Sequence, residues 1–388
     1  MIEIINKENC SGCSACAMVC PKKCIKMEKD NEGFFYPIIN KKLCINCNRC
    51  SNVCPIQNRR KIKDYHLEGI VCCSKNENVR KSSTSGGFFA ELAKAVLKEN
   101  GIVYGVLYDE KFLPKHKCIK TSKELKRICR SKYIQSDVNE SYKEAKKYLD
   151  ADKIVLFSGT PCQIMGLKNY LNRDYNNLIT CDVVCRGVIS PFLWIKHLNE
   201  IKYKYNSEIE YIGFREKFSS FHKTRLIIRL KNGKFYAPSI DIEWISRFFS
   251  LGICLRPSCY KCAFKGLYRA SDFTMFDCWN LSRLVKSEKD DDKGYTNVLI
   301  HTSKARKYLD KIKDELNYWQ IDVNKAKKYD GVMIDNCVNL PINRKNFFDD
   351  MDRYNITKLG EIYAPIPLKI LVKEKIKNIM IKLKLRRY

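Results

Sequence analysis

Eight cysteines near the start of the chain repeat one spacing twice. Each copy reads C-x2-C-x2-C-x3-C-P, and the copies comprise Cys10, Cys13, Cys16, Cys20-Pro21 and Cys44, Cys47, Cys50, Cys54-Pro55. In this spacing three close thiolates bind one iron–sulfur cube, and the more distant fourth cysteine serves the neighbouring cube. The spacing therefore predicts two 4Fe-4S clusters, a first set of ligands at Cys10, Cys13, Cys16 and Cys54 and a second set at Cys44, Cys47, Cys50 and Cys20.

Structural zinc is the alternative for these thiolates, because four cysteines also suit tetrahedral zinc. Zinc sites normally pair two C-x2-C units across a long spacer, which leaves the third close cysteine and the proline unexplained. Residues 1–58 also resemble a bacterial-type two-cluster ferredoxin, including the Glu32-Gly33-Phe34 turn between the two halves. Cys24 lies outside the spacing, and we expect it to be a packed thiol.

The rest of the chain must use the electrons that such clusters carry. With 388 residues, 45% hydrophobic and 30% charged, the sequence predicts two or three domains with buried cores. No apolar run reaches the ~18 residues of a membrane span, and the first residues lack the features of a signal peptide, so we expect a cytoplasmic protein. Twenty-one cysteines in such a chain indicate reduced thiols and an anaerobic metabolism.

The charge of the chain is strongly basic. The formal net charge is +29, and three clusters with their thiolates would lower it to roughly +23. Flavin phosphates, acidic cofactor tails, nucleic acid and lipid headgroups are therefore all compatible partners.

A third group of cysteines is spread over the middle of the chain. Cys162 follows a predicted strand and opens a helix, where the helix N-terminus favours its thiolate, and Cys185 follows the next strand. With the close pair Cys259 and Cys262, they form a third candidate set of four thiolates. Zinc stays open for this set, because a C-x2-C pair alone does not choose the metal.

A loop of serines and glycines, Ser82–Gly87, precedes another predicted helix. Amide groups of such a loop, together with the positive end of the helix, can bind the phosphate of a flavin or nucleotide. An ordinary serine-capped helix start is the alternative.

The elements that must position these residues alternate between strands and helices. Apolar runs at 101–107, 153–157 and 178–184 predict buried strands, and amphipathic patterns predict helices at about 87–99, 139–149, 163–172 and 190–204. Asn232-Gly233 between residues 225–230 and 235–236 predicts a β-hairpin. The fold class is therefore mixed α/β with an antiparallel part (α+β), preceded by the ferredoxin domain and a basic link at residues 59–63.

Several segments in order resemble the coenzyme F-420 hydrogenase/dehydrogenase beta-subunit family, in its bacterial branch with an N-terminal two-cluster ferredoxin. These segments are Ser82–Gly87, Ser131-Lys132-Tyr133, Gly159-Thr160-Pro161-Cys162-Gln163-Ile164, Cys185-Arg186-Gly187 with Ser190-Pro191, Cys259-Tyr260-Lys261-Cys262 and Ser271-Asp272. The resemblance runs from residue 1 to about 305. It implies an oxidoreductase in which FAD lies beside a 4Fe-4S cluster, and coenzyme F-420 is the hydride carrier in members that use it.

The resemblance also assigns candidate contacts to flavin or substrate. They are Ser82, Ser83, Thr84, Ser85, Gly86, Gly87, Lys132, Tyr133 and Thr160, with Lys132 as a cation for phosphate or reduced flavin. The chain departs from the family at Arg186, where a histidine is common, and at Phe276 and Asn280, where glycines are common. Because glycine often marks a positive φ or a close ligand approach, we expect a different or inactive substrate pocket.

The function predicted from these residues is an iron–sulfur flavoprotein oxidoreductase. The resemblance implies a deazaflavin such as coenzyme F-420 as one candidate acceptor. Because ferredoxin-bearing relatives are associated with polysaccharide biosynthesis, an unidentified metabolite is the other. A non-enzymatic electron-transfer subunit that serves a redox partner protein is one alternative. A basic iron–sulfur nucleic-acid-binding protein is another, although no recognition motif accompanies the charge.

We expect four parts, at residues 1–60, 61–180, 181–330 and 331–388. The last part ends in a basic amphipathic segment after Pro365-Ile366-Pro367, in which Val372, Ile376, Ile379 and Leu383 recur at helical spacing. Such a helix, within residues 366–388, can lie on the inner face of an anionic membrane or dock on a partner. A terminal helix packed on its own domain or frayed in solvent is the alternative.

Overall fold

The computed structural model describes residues 2, 6–60, 65–217 and 220–382, without the side chains of 375 and 377–382. Most of the basic link (residues 61–63) and the amphipathic positions Ile379, as a side chain, and Leu383 lie outside the described part.

The ferredoxin domain repeats one local fold twice. Its regular elements are α1 (Ala15–Val19), β1 (Ile25–Lys29), β2 (Phe35–Ile39) and α2 (Arg49–Asn52), with 3-10 turns at Lys7–Asn9 and Lys41–Leu43. Ser14 and Asn48 precede α1 and α2 at equivalent positions, and both are left-handed, with φ of 63° and 56°. The two halves therefore present their cysteines on matching loops. The strands β1 and β2 pair antiparallel, with Ile25 opposite Ile39.

Eleven further strands follow in the described part of the chain. They are β3 (Glu68–Ser74), β4 (Ile102–Tyr108), β5 (Pro114–Ile119), β6 (Val155–Gly159), β7 (Leu178–Val183), β8 (Ile209–Lys217), β9 (Thr224–Leu230), β10 (Phe235–Tyr236), β11 (Phe273–Cys278), β12 (Tyr295–Ile300) and β13 (Leu316–Ile321). Eight of them form one mixed sheet in the order β13-β3-β12-β11-β7-β6-β4-β5. The centre β11-β7-β6-β4 is parallel, and the flanking pairs are antiparallel.

Helices cover this sheet and extend beyond it. They are α3 (Glu77–Ser82), α4 (Phe88–Lys98), α5 (Leu125–Ile128), α6 (Ser141–Asp150), α7 (Pro161–Leu171), α8 (Pro191–Tyr205), α9 (Trp244–Leu251), α10 (Leu281–Leu284), α11 (Ser303–Ile312), α12 (Val323–Tyr329), α13 (Arg344–Asp349), α14 (Ile356–Tyr363) and α15 (Leu368–Lys382), with 3-10 turns at Ser122–Glu124, Pro257–Cys259, Lys313–Glu315 and Val332–Ile334. The mixed α/β fold class is as predicted.

The predicted strands are apolar along their length because both faces of the sheet are buried. Val103, Leu156 and Ile179 lie side by side in the parallel centre and are fully buried. The predicted hairpin is β9–β10, which β8 extends to a three-stranded antiparallel sheet, and Gly233 at its turn has φ of 80°. In the described part of the chain, no helix is long and apolar enough to cross a membrane.

Candidate metal centres and cofactor site

The eight ferredoxin thiols gather in the two crossed sets that the spacing predicts. The first set surrounds a cavity of about 320 Å³ lined by Cys10, Cys13, Cys16 and Cys54. The second set lines a separate cavity of about 360 Å³ with Cys20, Cys44, Cys47 and Cys50. Each half thus contributes one cysteine to the other half's site, as a pair of 4Fe-4S clusters requires.

Three thiols of the first set, those of Cys13, Cys16 and Cys54, are buried, and this burial controls their chemistry. It raises the pKa of Cys13 to about 12 and raises those of Cys16 and Cys54 as well. A buried thiol loses its proton readily only when a bound metal compensates the new charge. The donor set therefore fits iron ligation.

The second set reaches the surface at one of its members, although Cys50 is buried. Cys47 is exposed, and Ile38, Leu43 and Ile45 around it are each more than half exposed. A fifth thiol, Cys24, is buried with its Sγ 3.3 Å from the Sγ of Cys20. The predicted packed thiol is thus a direct neighbour of a predicted ligand.

The structure also brings the third set together. Cys162 opens α7, Cys185 follows β7, and Cys259 and Cys262 lie at the end of the Pro257–Cys259 turn and just after it. All four line one cavity of about 680 Å³, roughly twice the volume of either ferredoxin cavity. The four thiols thus meet around one space, as ligands of a single metal centre would. Ser11 and Ile56 of the ferredoxin domain line this cavity too, so the first and third sets are neighbours.

Burial outweighs the helix N-terminus at Cys162. We expected the helix to favour its thiolate, but desolvation raises its pKa well above the ordinary value. Burial likewise raises the pKa of Cys185 to about 11 and that of Cys259 to about 12. Four cations line the cavity and can balance the charge of metal-bound thiolates: Arg186, Arg256, Lys265 and Arg269.

Two further groups contact the third set. Thr160, predicted to contact flavin or substrate, lies with its Oγ1 3.0 Å from Cys162 Sγ. Cys337 accepts a hydrogen bond at its Sγ from the backbone amide of Cys262, at 3.3 Å. No spacing in the sequence connects Cys337 to the set. The thiols surround cavities, and no three His, Cys, Asp or Glu side chains in the described residues converge as a lone metal ion would require.

The predicted flavin segments meet each other. The Ser131 amide donates to Thr84 Oγ1 at 3.0 Å, and Arg130 Nε donates to the Ser82 carbonyl at 2.9 Å. From Ser131 the chain runs to Gln135, which lines the third cavity. Four residue steps span at most about 14 Å. A flavin at this loop would therefore be close to a cluster in the third set.

The loop Ser82–Gly87 also has structural partners. Ser82 and Ser83 donate their hydroxyl hydrogens to the Val79 carbonyl, and Ser85 Oγ lies 2.7 Å from Thr296 Oγ1. A Cβ on Gly86 would lie 2.4 Å from the Cys72 carbonyl oxygen, so only glycine allows this approach to β3. Gly87 begins α4 with φ of 96°.

Two lysines near the loop are held by carbonyl groups. Lys132 donates to the carbonyls of Cys129 and Arg130, and burial lowers its pKa to about 8. Lys217, which the sequence did not single out, donates to the carbonyls of Arg80, Ser85 and Lys293. Burial lowers the pKa of Lys217 to about 7. Tyr133 packs against Phe214 and Phe249.

The residues that replace family glycines cause no backbone conflict. Phe276 is a residue of β11, and Asn280 precedes α10 with φ of −122°. The Asn280 side chain donates to the Tyr329 carbonyl and to Asp330 Oδ1. Neither Phe276 nor Asn280 therefore has the positive φ that a glycine often marks. Arg186, the third departure, donates to the carbonyls of Phe249 and Ser250.

An aromatic and cationic cluster lies beside that loop. Trp279, 37% exposed, stacks on Phe221 with ring centroids 4.3 Å apart. The Arg215 guanidinium lies 4.7 Å from the Trp279 ring and pairs with Asp277. Arg215 has no sequence signal of its own. The cluster offers a flat ring and a cation on one surface.

Comparison with known proteins follows the same division of the chain. The family defined by the C-terminal part of the coenzyme F-420 hydrogenase/dehydrogenase beta subunit matches residues 152–325, and a 4Fe-4S dicluster domain matches residues 9–58. No curated protein matches the chain. A solved chain of the xenon-derivatised F-420-reducing NiFe hydrogenase complex from Methanosarcina barkeri is 14% identical, with a TM-score of 0.42. That alignment covers 79% of this chain and 95% of that chain.

Proposed function

Through residues 152–325 the chain belongs to the coenzyme F-420 hydrogenase/dehydrogenase beta-subunit family, and from that membership we propose an iron–sulfur flavoenzyme with three 4Fe-4S clusters in series. Electrons would pass between a redox partner at the exposed second set and an organic hydride acceptor near the third set. The acceptor class is a deazaflavin such as coenzyme F-420 or another small metabolite.

The observation that carries this proposal is the third set. Cys162, Cys185 and the Cys259–Cys262 pair come from three distant segments, yet they line one cavity against the ferredoxin domain. A relay of only two clusters has no need for this convergence. A third metal centre at this place extends the ferredoxin pair into the α/β domain.

FAD is the proposed end of the series. When bound, it exchanges single electrons with clusters and a hydride with an organic partner. The residues Ser82–Gly87 and Ser131–Tyr133 meet at one place, and the second segment leads directly to the third cavity. Arg130 and Lys217 donate hydrogen bonds to the carbonyls of Ser82 and Ser85 and so hold this loop in place.

Cofactor quantitation after anaerobic purification tests the proposal. We expect ~12 irons with matching sulfide per chain for three clusters, and about one FAD. A count of ~8 irons with about one zinc would contradict the third cluster. Full iron without flavin would favour the electron-transfer subunit instead. Retention of RNA or DNA by flavin-free protein would favour the nucleic-acid binder.

We also propose that α15 contacts an anionic membrane surface. Leu368, Leu371, Val372 and Ile376 are all exposed on this helix, between 39% and 75%. Residues 366–388 contain eight Lys or Arg residues and one acidic residue, Glu374. Exposed apolar side chains among cations are typical of helices that lie in a lipid headgroup layer.

A further inference from the structure

Arg256 is a buried guanidinium whose hydrogen-bond partners are all neutral. It is 1% exposed. Its Nε donates to the Cys10 carbonyl at 2.8 Å, its Nη2 to the Phe35 carbonyl at 2.9 Å, and its Nη1 to Gln135 Oε1 at 3.2 Å. The ring of Tyr36 lies 4.2 Å away. None of the ion pairs found among the described residues includes Arg256.

Such a charge requires a counter-charge, because a buried and unpaired ion is strongly unfavourable. Deprotonation does not remove the problem, since a guanidinium keeps its proton in proteins. Arg256 lies between two candidate anions. It bonds the backbone of Cys10 in the first set, and its side chain lines the cavity of the third set. Each cluster with four thiolates carries about two negative charges.

The loop of the first set is shaped to meet this guanidinium. Gly12, between Cys10 and Cys13, has φ of 70°. A Cβ at Gly12 would lie 2.3 Å from Gln135 Nε2 and 3.0 Å from Arg256 Nη1. Any larger residue would displace either the loop or the side-chain ends of Arg256 and Gln135. Glycine at position 12 therefore permits the close contact of this loop with Arg256 and Gln135.

We propose that Arg256 is the shared counter-ion of the first and third clusters. Its charge raises the reduction potential of both and reduces the repulsion between them when both hold an electron. The electron moves from one cluster to the other, and no proton or atom moves with it. This inference rests on the third cluster of the proposed function.

EPR-monitored redox titration of the anaerobically purified full chain tests the inference. Arg256→Gln should lower the ratio of reduced to oxidised cluster by about tenfold for both clusters at a fixed potential, or ~59 mV for one electron. Arg256→Lys keeps the charge and loses the fork of hydrogen bonds, so its shift should be less than half as large. Gln135→Glu, an isosteric change, places a carboxylate beside Arg256 and should lower both potentials without deleting the guanidinium.

Two controls distinguish an effect of Arg256 on the potentials of its two neighbouring clusters from a general effect of removing positive charge. The second cluster, at the exposed set with Cys47, should keep its potential in every variant. Lys311→Gln removes one positive charge from a side chain that is 45% exposed and should change no cluster potential.

The outcomes separate this inference from the function on which it rests. Wild-type protein with ~8 irons overturns the proposed function before any variant is titrated. Three clusters with unchanged potentials in Arg256→Gln and Gln135→Glu overturn the counter-ion role. Equal shifts in Arg256→Lys and Arg256→Gln also overturn it, because hydrogen bonds rather than charge would then be responsible. If Arg256→Gln fails to load its clusters, Gln135→Glu decides by the same readout.

Discussion

At the scale of single residues, the candidate ligands share a property that spacing does not reveal. Cys13 of the first set and Cys162 and Cys259 of the third set are buried enough that desolvation raises their pKa values. Without a metal they would be neutral and poorly reactive. Their role as ligands therefore depends on a group that supplies positive charge in the cavity, and iron does so.

Cys162→Ser tests the third set at its best-placed member. We expect ~8 irons per chain rather than ~12, with the EPR signal of one reduced cluster lost, because a serine oxygen is a poor substitute for thiolate. Cys181→Ser is the matched control, since Cys181 is also fully buried but lies in β7 outside the cavity lining. Full iron in Cys162→Ser would contradict the assignment.

The structure brings the predicted ligand cysteines together around three cavities, and the signals that predict them are local. That they bind iron stays a prediction. The eight ferredoxin cysteines follow a fixed spacing, and Cys162 and Cys185 each come after the apolar run of a strand. Residues that act from a distance gave no signal. Arg256 contacts Cys10 across 246 positions, and Arg215 and Lys217 are two of many cations in a basic chain. Cys337 contacts Cys262 from beyond the region of family resemblance.

At the scale of elements, the positions of strands and helices were predictable, but which elements pair or pack with one another was not. Periodicity located β4, β6, β7 and α4, because each buries a continuous apolar face. The sheet order places β3 between β12 and β13, and these pairings join segments more than 200 residues apart. Helix α13 shows the same limit, since its Arg344 pairs with Glu32 of the ferredoxin turn.

The ion pair between α13 and the ferredoxin turn should hold that domain in place. Arg344 donates two hydrogen bonds to the Glu32 carboxylate, at 2.8 and 2.6 Å, and both side chains are largely buried. Arg344→Met leaves Glu32 uncompensated and should cost about 3–5 kcal/mol. The double variant Glu32→Gln/Arg344→Met should recover part of this loss. Anaerobic thermal unfolding should therefore rank the midpoints wild type, double variant, Arg344→Met.

A surface pair supplies the matched control for that comparison. Lys358 and Glu361 are both more than half exposed, and Lys358→Met should cost at most about 1 kcal/mol. Equal midpoints for Arg344→Met and Lys358→Met would show that the buried pair does not fix the ferredoxin domain.

At the scale of the whole molecule, the three candidate cysteine sets follow one another from the ferredoxin domain into the α/β domain. In the proposed cluster series, one end would lie at the exposed Cys47, and the other would lead into the α/β domain past Arg256 and Gln135. A net charge of +29 surrounds this route. Such a field favours anionic partners at long range and at low ionic strength. In the proposed membrane contact, the apolar side chains of α15 would add a contribution that charge alone cannot supply.

Vesicle sedimentation tests whether both the positive charge and the exposed apolar side chains of α15 contribute to membrane binding. We compare full-length protein with a form ending at residue 365, and with a Leu368→Gln/Leu371→Gln/Val372→Gln/Ile376→Gln variant that keeps every lysine. Both changes should weaken binding to phosphatidylglycerol vesicles by on the order of tenfold or more, because burial of apolar groups adds to electrostatic attraction. Neutral phosphatidylcholine vesicles should bind all three forms weakly. Equal binding of the full-length and shortened forms would exclude α15 as the membrane contact, and loss only on truncation would reduce its role to charge.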